Sequence, residues 1–235
     1  MSDKLGFTID GKECEAEKGR SIIEAAEANG IYIPHLCYMK KLRPVGSCRV
    51  CTVKVNGRNM AACTTPVAEG MIVENDTEEL NDQRRAILEM LFAEGNHFCP
   101  SCERSGSCEL QALAYRLNIM APRFPYMFPL RKLDATHKKI FIDGNRCIQC
   151  GRCVRAASEL DHKEILGFIG RSGQVRVKAS SSKGLAGVDI SPDDECVKAC
   201  PVGSIIVKET AYRVPIGKRQ YDTTPIGADV EAGKG

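Results

Sequence analysis

Tryptophan is absent from the 235 residues, and aromatic residues make up only 6%. No apolar run approaches the roughly 20 residues a membrane span needs, which excludes a transmembrane subunit and direct membrane insertion. The opening segment, MSDKLGFTID, has no basic stretch followed by an apolar one, so it is not an ordinary secretory signal. Neither charge sign is in excess: 33 Lys and Arg against 30 Asp and Glu give +3, which is no electrostatic footprint for nucleic acid. There is no G-x-G-x-x-G after a strand and no Walker loop, so the chain carries no flavin, nicotinamide or nucleotide fingerprint. No Ser–His–Asp or Cys–His nucleophile set stands out either. What remains is an ordinary folded composition, 43% hydrophobic and 27% charged, with a length that suits two or three compact units.

Cysteine is abundant. The count of 13 is odd and no export signal is present, which disfavours a disulfide framework and predicts reduced thiols in the cytoplasm. Reduced, clustered cysteines are metal ligands. They fall in three groups: Cys37-x10-Cys48-x2-Cys51-x11-Cys63; then Cys99-x2-Cys102-x5-Cys108; then Cys147-x2-Cys150-x2-Cys153 with Cys196-x3-Cys200-Pro201 far downstream. Three groups predict three metal sites, one per structural unit. Cys14 stands alone.

The fold class expected is α+β. In residues 1–77, alternation at Leu5, Phe7 and Ile9 predicts a strand, and Asp10-Gly11 a hairpin turn. Ser21 is the expected N-cap of a helix stopped at Asn29-Gly30. Strands are expected at 50–55 and 71–73, with Asn56-Gly57 as a second hairpin turn. Hairpin, helix, loop and hairpin is the order of a β-grasp fold. Residues 78–120 form a small helical unit, with Leu80, Ile87, Leu88, Leu91 and Phe92 on one face and Asp76 as the expected helix start. Residues 121–210 open with Pro122, Pro125 and Pro129, which predict an extended segment packed across a neighbouring unit or a partner. Strands are expected at 165–169 and 174–179. The tail, 211–235, is expected to lack structure in isolation or to order against a partner.

The segment from Gly46 to Val53, GSCRVCTV, resembles the binding loop of plant-type [2Fe–2S] ferredoxins, with a first gap of x10 where that loop has x4. The longer gap resembles the N-terminal domain of the large iron–sulfur subunit of respiratory NADH dehydrogenases and of NAD-linked hydrogenases. The block His97-Phe98-Cys99-Pro100-Ser101-Cys102 through Cys108-Glu109-Leu110-Gln111 resembles the His(Cys)3 [4Fe–4S] site of the same families. The family pattern often sets the histidine four residues before the first cysteine; here His97 is two before. Cys147, Cys150 and Cys153 have the spacing of bacterial ferredoxins, and Cys200-Pro201 resembles the end of a second ferredoxin run.

The resemblance implies a [2Fe–2S] cluster on Cys37, Cys48, Cys51 and Cys63. It implies one [4Fe–4S] cluster on His97, Cys99, Cys102 and Cys108, and another on Cys147, Cys150, Cys153 and Cys200, in a bacterial-ferredoxin-like domain with an insert between its halves. Cys14 and Cys196 are left over. A structural zinc site would favour two C-x2-C pairs, and a Rieske centre two histidines. With their thiolates the three sites would carry roughly −2, −1 and −2, and eight Lys and Arg in 121–156 would partly offset them.

The cluster order and a length read as complete resemble the small diaphorase (gamma) subunits of NAD-reducing nickel–iron hydrogenases. That implies a non-catalytic relay, with a flavin/NAD-binding diaphorase subunit and the hydrogenase small and large subunits as partners. A subunit of an NAD-linked formate dehydrogenase or a complex I-like enzyme is the alternative. A zinc-stabilised binding module without redox function is the reading from another class.

Overall fold

The computed structural model describes residues 4–128 and 130–233, so Pro129 lies outside the described residues. The chain opens with strands β1 (Lys4–Ile9) and β2 (Lys12–Glu17), joined at Asp10-Gly11, where both residues take positive φ. Helix α1 (Ile22–Ala28) follows. Its N-cap is Ser21, closed by a capping box with Glu24, and it stops at Asn29. Strands β3 (Thr52–Val55) and β4 (Arg58–Ala61) form the second hairpin, and β5 (Ile72–Glu74) inserts between β1 and β3. The sheet order is β2-β1-β5-β3-β4, with β1 and β5 parallel and the other pairs antiparallel, which is a β-grasp arrangement. Phe7, Ile9, Ile22, Ile23, Val53 and Val73 fill its core together with Cys14, which explains that leftover thiol as a packing residue.

Helix α2 (Glu78–Glu94) starts one residue later than expected. Thr77 is the N-cap, its hydroxyl accepting from the Leu80 N–H, while the Asp76 carboxylate accepts instead from the Asn81 side chain. Helix α3 (Glu109–Arg116) leaves directly from Cys108. The proline-containing segment is extended; the Met127 N–H bonds the Ala93 carbonyl at the end of α2.

Strands β6 (Leu133–Asp134) and β7 (Ile140–Asp143), with β10 (Ile205–Val207), make a sheet of order β10-β7-β6. Pairing of β7 with β10 brings the Cys200 region beside the Cys147 region, 53 residues away in sequence. Helices α4 (Arg152–Glu159) and α5 (Glu195–Lys198) pack together, and β8 (Leu166–Ile169) with β9 (Arg176–Ala179) forms the hairpin of the insert.

One apolar core runs through the second and third units and takes in Leu36, Cys37, Leu42 and Val50 from the loop of the first. The tail differs from expectation. It packs on its own chain: the Tyr212 hydroxyl donates to the Ser101 carbonyl at 2.6 Å, and the Tyr221 N–H to the Gly106 carbonyl at 2.8 Å. Its last helix, α6 (Ala228–Glu231), carries Val230 into the core and pairs Glu231 with Arg116. Ile226, Val230 and Tyr221 supply the apolar burial that the glycines and prolines around them do not suggest.

Candidate iron–sulfur sites

The first site lies on the loop between α1 and β3 and on the turn after β4. Cys37, Cys51 and Cys63 are buried and Cys48 is half-buried. The Cys37 N–H points at the Cys48 sulfur, 3.4 Å away. The neighbouring thiols of Cys48 and Cys63 hold the Cys37 pKa far below the ordinary value, and those two thiols are raised in turn. Cys51, bonded by Cys63, is drawn down to about 7. All four thiols therefore converge. Gly46 takes a left-handed φ of +64° in the loop, with the Thr64 side chain 3.3 Å from where a Cβ would stand.

The second site forms between α2 and α3. Cys99, Cys102, Cys108 and His97 line one pocket, walled also by Phe92 and Leu110. The His97 Nε2 is buried with no hydrogen-bond partner. Burial first, then the charges of Arg131 and Arg146, push the imidazole pKa down to about 4, so at neutral pH the ring keeps a lone pair free to bind a metal. Burial raises the Cys108 thiol to about 12.

At the third site Cys147, Cys150, Cys153 and Cys200 line a single pocket, closed by apolar side chains such as Ile142, Val177 and Ile205. Burial and the neighbouring thiols raise Cys150 to about 12 and hold Cys153 well above its ordinary value. Cys196 is outside this pocket. It is fully buried, and its N–H and that of Glu195 donate to the Asp161 carboxylate at 2.8 Å each. Asp161, Asp194 and Cys196 lie close together, with Lys163 paired to Asp194 at 3.0 Å, and the Asp161 carboxylate takes the first N–H groups of α5.

An orphaned imidazole nitrogen beside three thiols and two convergent four-thiol sets are the donor chemistry of iron–sulfur clusters, and the residues present fit such groups. The polar bridges between the sites are not evident from cysteine spacing. Arg146 Nη1 lies 3.8 Å from the Cys102 sulfur and pairs with Glu103, while its Nε reaches Asp143 at 3.1 Å. Arg155 donates to the Cys37 carbonyl at 2.6 Å, and the Arg43 N–H to Glu159 at 2.8 Å, which seats α4 on the first loop. A second pocket is shared by Cys48 of the first site and Cys147 and Cys150 of the third. The only sequence signal for these bridges is adjacency: Arg146 precedes Cys147, Arg152 precedes Cys153, and Glu109 follows Cys108.

A β-grasp domain, a His/Cys helical unit and a ferredoxin-like unit in one chain define a multi-centre iron–sulfur protein of the NADH-dehydrogenase type. Family models agree along the chain: "2Fe-2S iron-sulfur cluster binding domain" over 2–78, "NADH-ubiquinone oxidoreductase-G iron-sulfur binding region" over 84–123 and "NADH-quinone oxidoreductase subunit 3, ferredoxin-like domain" over 138–206. The NAD-reducing hydrogenase HoxS subunit gamma of Cupriavidus necator is 44% identical, with 95% of this chain and 96% of that one aligned. A chain in a crystal structure of NAD+-reducing [NiFe]-hydrogenase in the H2-reduced state superposes with a TM-score of 0.92, at 44% identity over 95% of this chain and 96% of that one. The NADPH-Fe(3+) oxidoreductase subunit alpha of Geobacter sulfurreducens is 36% identical over 89% of this chain, which spans only 25% of that longer protein. The chain belongs to the family of NAD-reducing hydrogenase gamma subunits. Among the described residues no helix is long and apolar enough to cross a membrane.

Proposed function

We propose that the chain relays electrons between a flavin/NAD-binding diaphorase subunit and a nickel–iron hydrogenase pair, in the reversible reaction H2 + NAD+ to NADH + H+. The observation that carries this reading is the convergence of three donor sets in a chain that has no substrate or nucleotide site among its motifs. Cys37, Cys48, Cys51 and Cys63 would hold a [2Fe–2S] cluster. His97, Cys99, Cys102 and Cys108 would hold one [4Fe–4S] cluster, and Cys147, Cys150, Cys153 and Cys200 the other. Bound there, such clusters supply one-electron oxidation and reduction; the hydride's two electrons are split by a flavin on the partner.

The protein's own part is to hold the donors without rearrangement. Buried and half-buried thiols and a neutral imidazole are held by the α2–α3 and β7–β10 frameworks, and apolar side chains wall the third set. The backbone of the second site bonds that of the third, and α4 of the third bonds the loop of the first, so the three sets are tied to one another by direct hydrogen bonds.

Elemental analysis of the complex purified anaerobically through a tag on this chain tests the proposal. Iron well above 10 atoms per chain (the clusters proposed here contain 2, 4 and 4 iron atoms, and a hydrogenase adds more) with about one nickel is expected. Iron without nickel would move the relay to another NAD-linked enzyme. Zinc in place of iron would discard it.

A further inference from the structure

Helix α2 carries one cation inside the protein. Arg84 is 1% exposed, and its guanidinium donates five hydrogen bonds, all to uncharged oxygens. Nε reaches the Val50 carbonyl at 3.2 Å. Nη1 reaches the Asn75 carbonyl at 2.8 Å and Asn81 Oδ1 at 3.0 Å. Nη2 reaches the Thr52 carbonyl at 2.9 Å and Asn75 Oδ1 at 2.8 Å.

Val50 and Thr52 are the two neighbours of Cys51, so the guanidinium spans the backbone of that cysteine from behind. A buried arginine ordinarily sits against a carboxylate, because taking a lone charge out of water is costly. Among the described residues no carboxylate is within ion-pair distance of Arg84. Asp76, Cys51 and Asp10 act on it in that order, against the burial that pulls its pKa down to about 10. It is therefore cationic at neutral pH. Arg49, beside the same loop, is exposed, and water and salt screen such a charge. Arg84, 1% exposed at the floor of a pocket that Asp10 and Asp76 also line, is screened much less.

We propose that Arg84 sets the redox poise of the first site: its fixed positive charge behind Cys51 favours the reduced state of a cluster on Cys37, Cys48, Cys51 and Cys63 and so raises its potential. The inference rests on the ligand reading above. In the step concerned one electron enters, no bond forms or breaks, no proton is taken up, and the site charge goes from about −2 to about −3. A unit charge bonded to the carbonyls on either side of a ligand residue, in a partly screened interior, shifts such an equilibrium on the order of tenfold.

The test is a redox titration of the full-length protein in its complex at pH 7, following the [2Fe–2S] signal by electron paramagnetic resonance. Arg84→Gln removes the charge and is expected to lower the one-electron reduction equilibrium about tenfold, which is about 59 mV to more negative potential. Arg84→Lys keeps the charge but loses the fork, and is expected to stay close to wild type. Equal shifts in the Gln and Lys variants would show that the fork matters and the charge does not, and would overturn the proposal. Should Arg84→Gln fail to fold, Asn75→Asp decides, since it places a carboxylate against the intact guanidinium. A fall in potential is expected there, and an unchanged midpoint with an unchanged spectrum would overturn the proposal. Absence of any [2Fe–2S] signal in the wild-type protein would overturn the ligand reading itself, and the inference with it.

Discussion

The backbone N–H of Glu109 donates to the carbonyl of Pro201 at 2.8 Å. Glu109 follows Cys108 and Pro201 follows Cys200, so this hydrogen bond joins the backbones of the second and third sites, as does that of the Asn96 N–H, beside His97, to the Asn145 carbonyl at 2.7 Å. The Glu109 carboxylate also takes a two-pronged bond from Arg152, at 2.7 and 2.8 Å, and Arg152 precedes Cys153. Backbone and side chain of one residue thus clamp both sites.

Glu109→Ala would leave Arg152, 5% exposed, as an uncompensated buried charge. Breaking such a pair costs about 3–5 kcal/mol. Both [4Fe–4S] absorbances are expected to bleach at lower urea concentration than in wild type, and Arg152→Met in the same background should restore most of the loss. Equal urea midpoints for the single variant and wild type would show that the pair contributes nothing.

Cys200→Ser should abolish the third centre, while Cys196→Ser should leave it close to intact. Cys200 lines the pocket with Cys147, Cys150 and Cys153; Cys196 is buried on α5 against Asp161, where burial and the carboxylate raise its thiol to about 12. Iron content per chain and the low-temperature spectrum read the difference directly. The opposite pattern would exchange the roles assigned to the two cysteines.

Why some of this was legible in sequence and some not follows from the range of the interactions. Hairpin turns at Asp10-Gly11 and Asn56-Gly57 and the Ser21 cap are local, settled by a few residues' own preferences. That the Cys147 group and Cys200 share one pocket is expected from sequence because the spacing within the group is local and a resemblance supplies the long step between them. Arg84, Arg152 and Gly203 carry no such mark. Each matters because of a partner 32–101 residues away, and a charged residue on a helix reads as solvated until the fold buries it. The tail was misjudged for the same reason. Its glycines and prolines signal disorder locally, while Tyr212, Tyr221 and Val230 find acceptors and apolar neighbours on distant segments.

Gly203→Ala tests the contact between the second and third sites sterically. A Cβ at this position would stand 2.8 Å from the Cys102 sulfur and 3.2 Å from Arg104 Cβ. The backbone is not in the left-handed region, so the penalty is overpacking alone, about 1–3 kcal/mol. The second [4Fe–4S] signal is expected to broaden or weaken while the [2Fe–2S] signal keeps its shape. A variant with wild-type spectra and thermal stability would mean that the Cys102 side chain moves aside at no cost.

His97 can be tested by its effect on one centre. Its Nε2 is buried without a partner in the pocket of Cys99, Cys102 and Cys108, and an unpaired buried acceptor is costly unless something binds it. Three thiols would leave a cubane one ligand short, and on the proposed reading the neutral imidazole would fill that place without adding negative charge. His97→Ala is therefore expected to lose about one iron per chain and to alter a single [4Fe–4S] signal, leaving the other two centres unchanged. His97→Cys should retain the iron and move that centre to more negative potential, because a thiolate adds a charge that imidazole lacks. A spectrum unchanged by His97→Ala would assign the fourth position to another group. The same shift in all three centres would make His97 a packing residue, whose loss loosens the whole core.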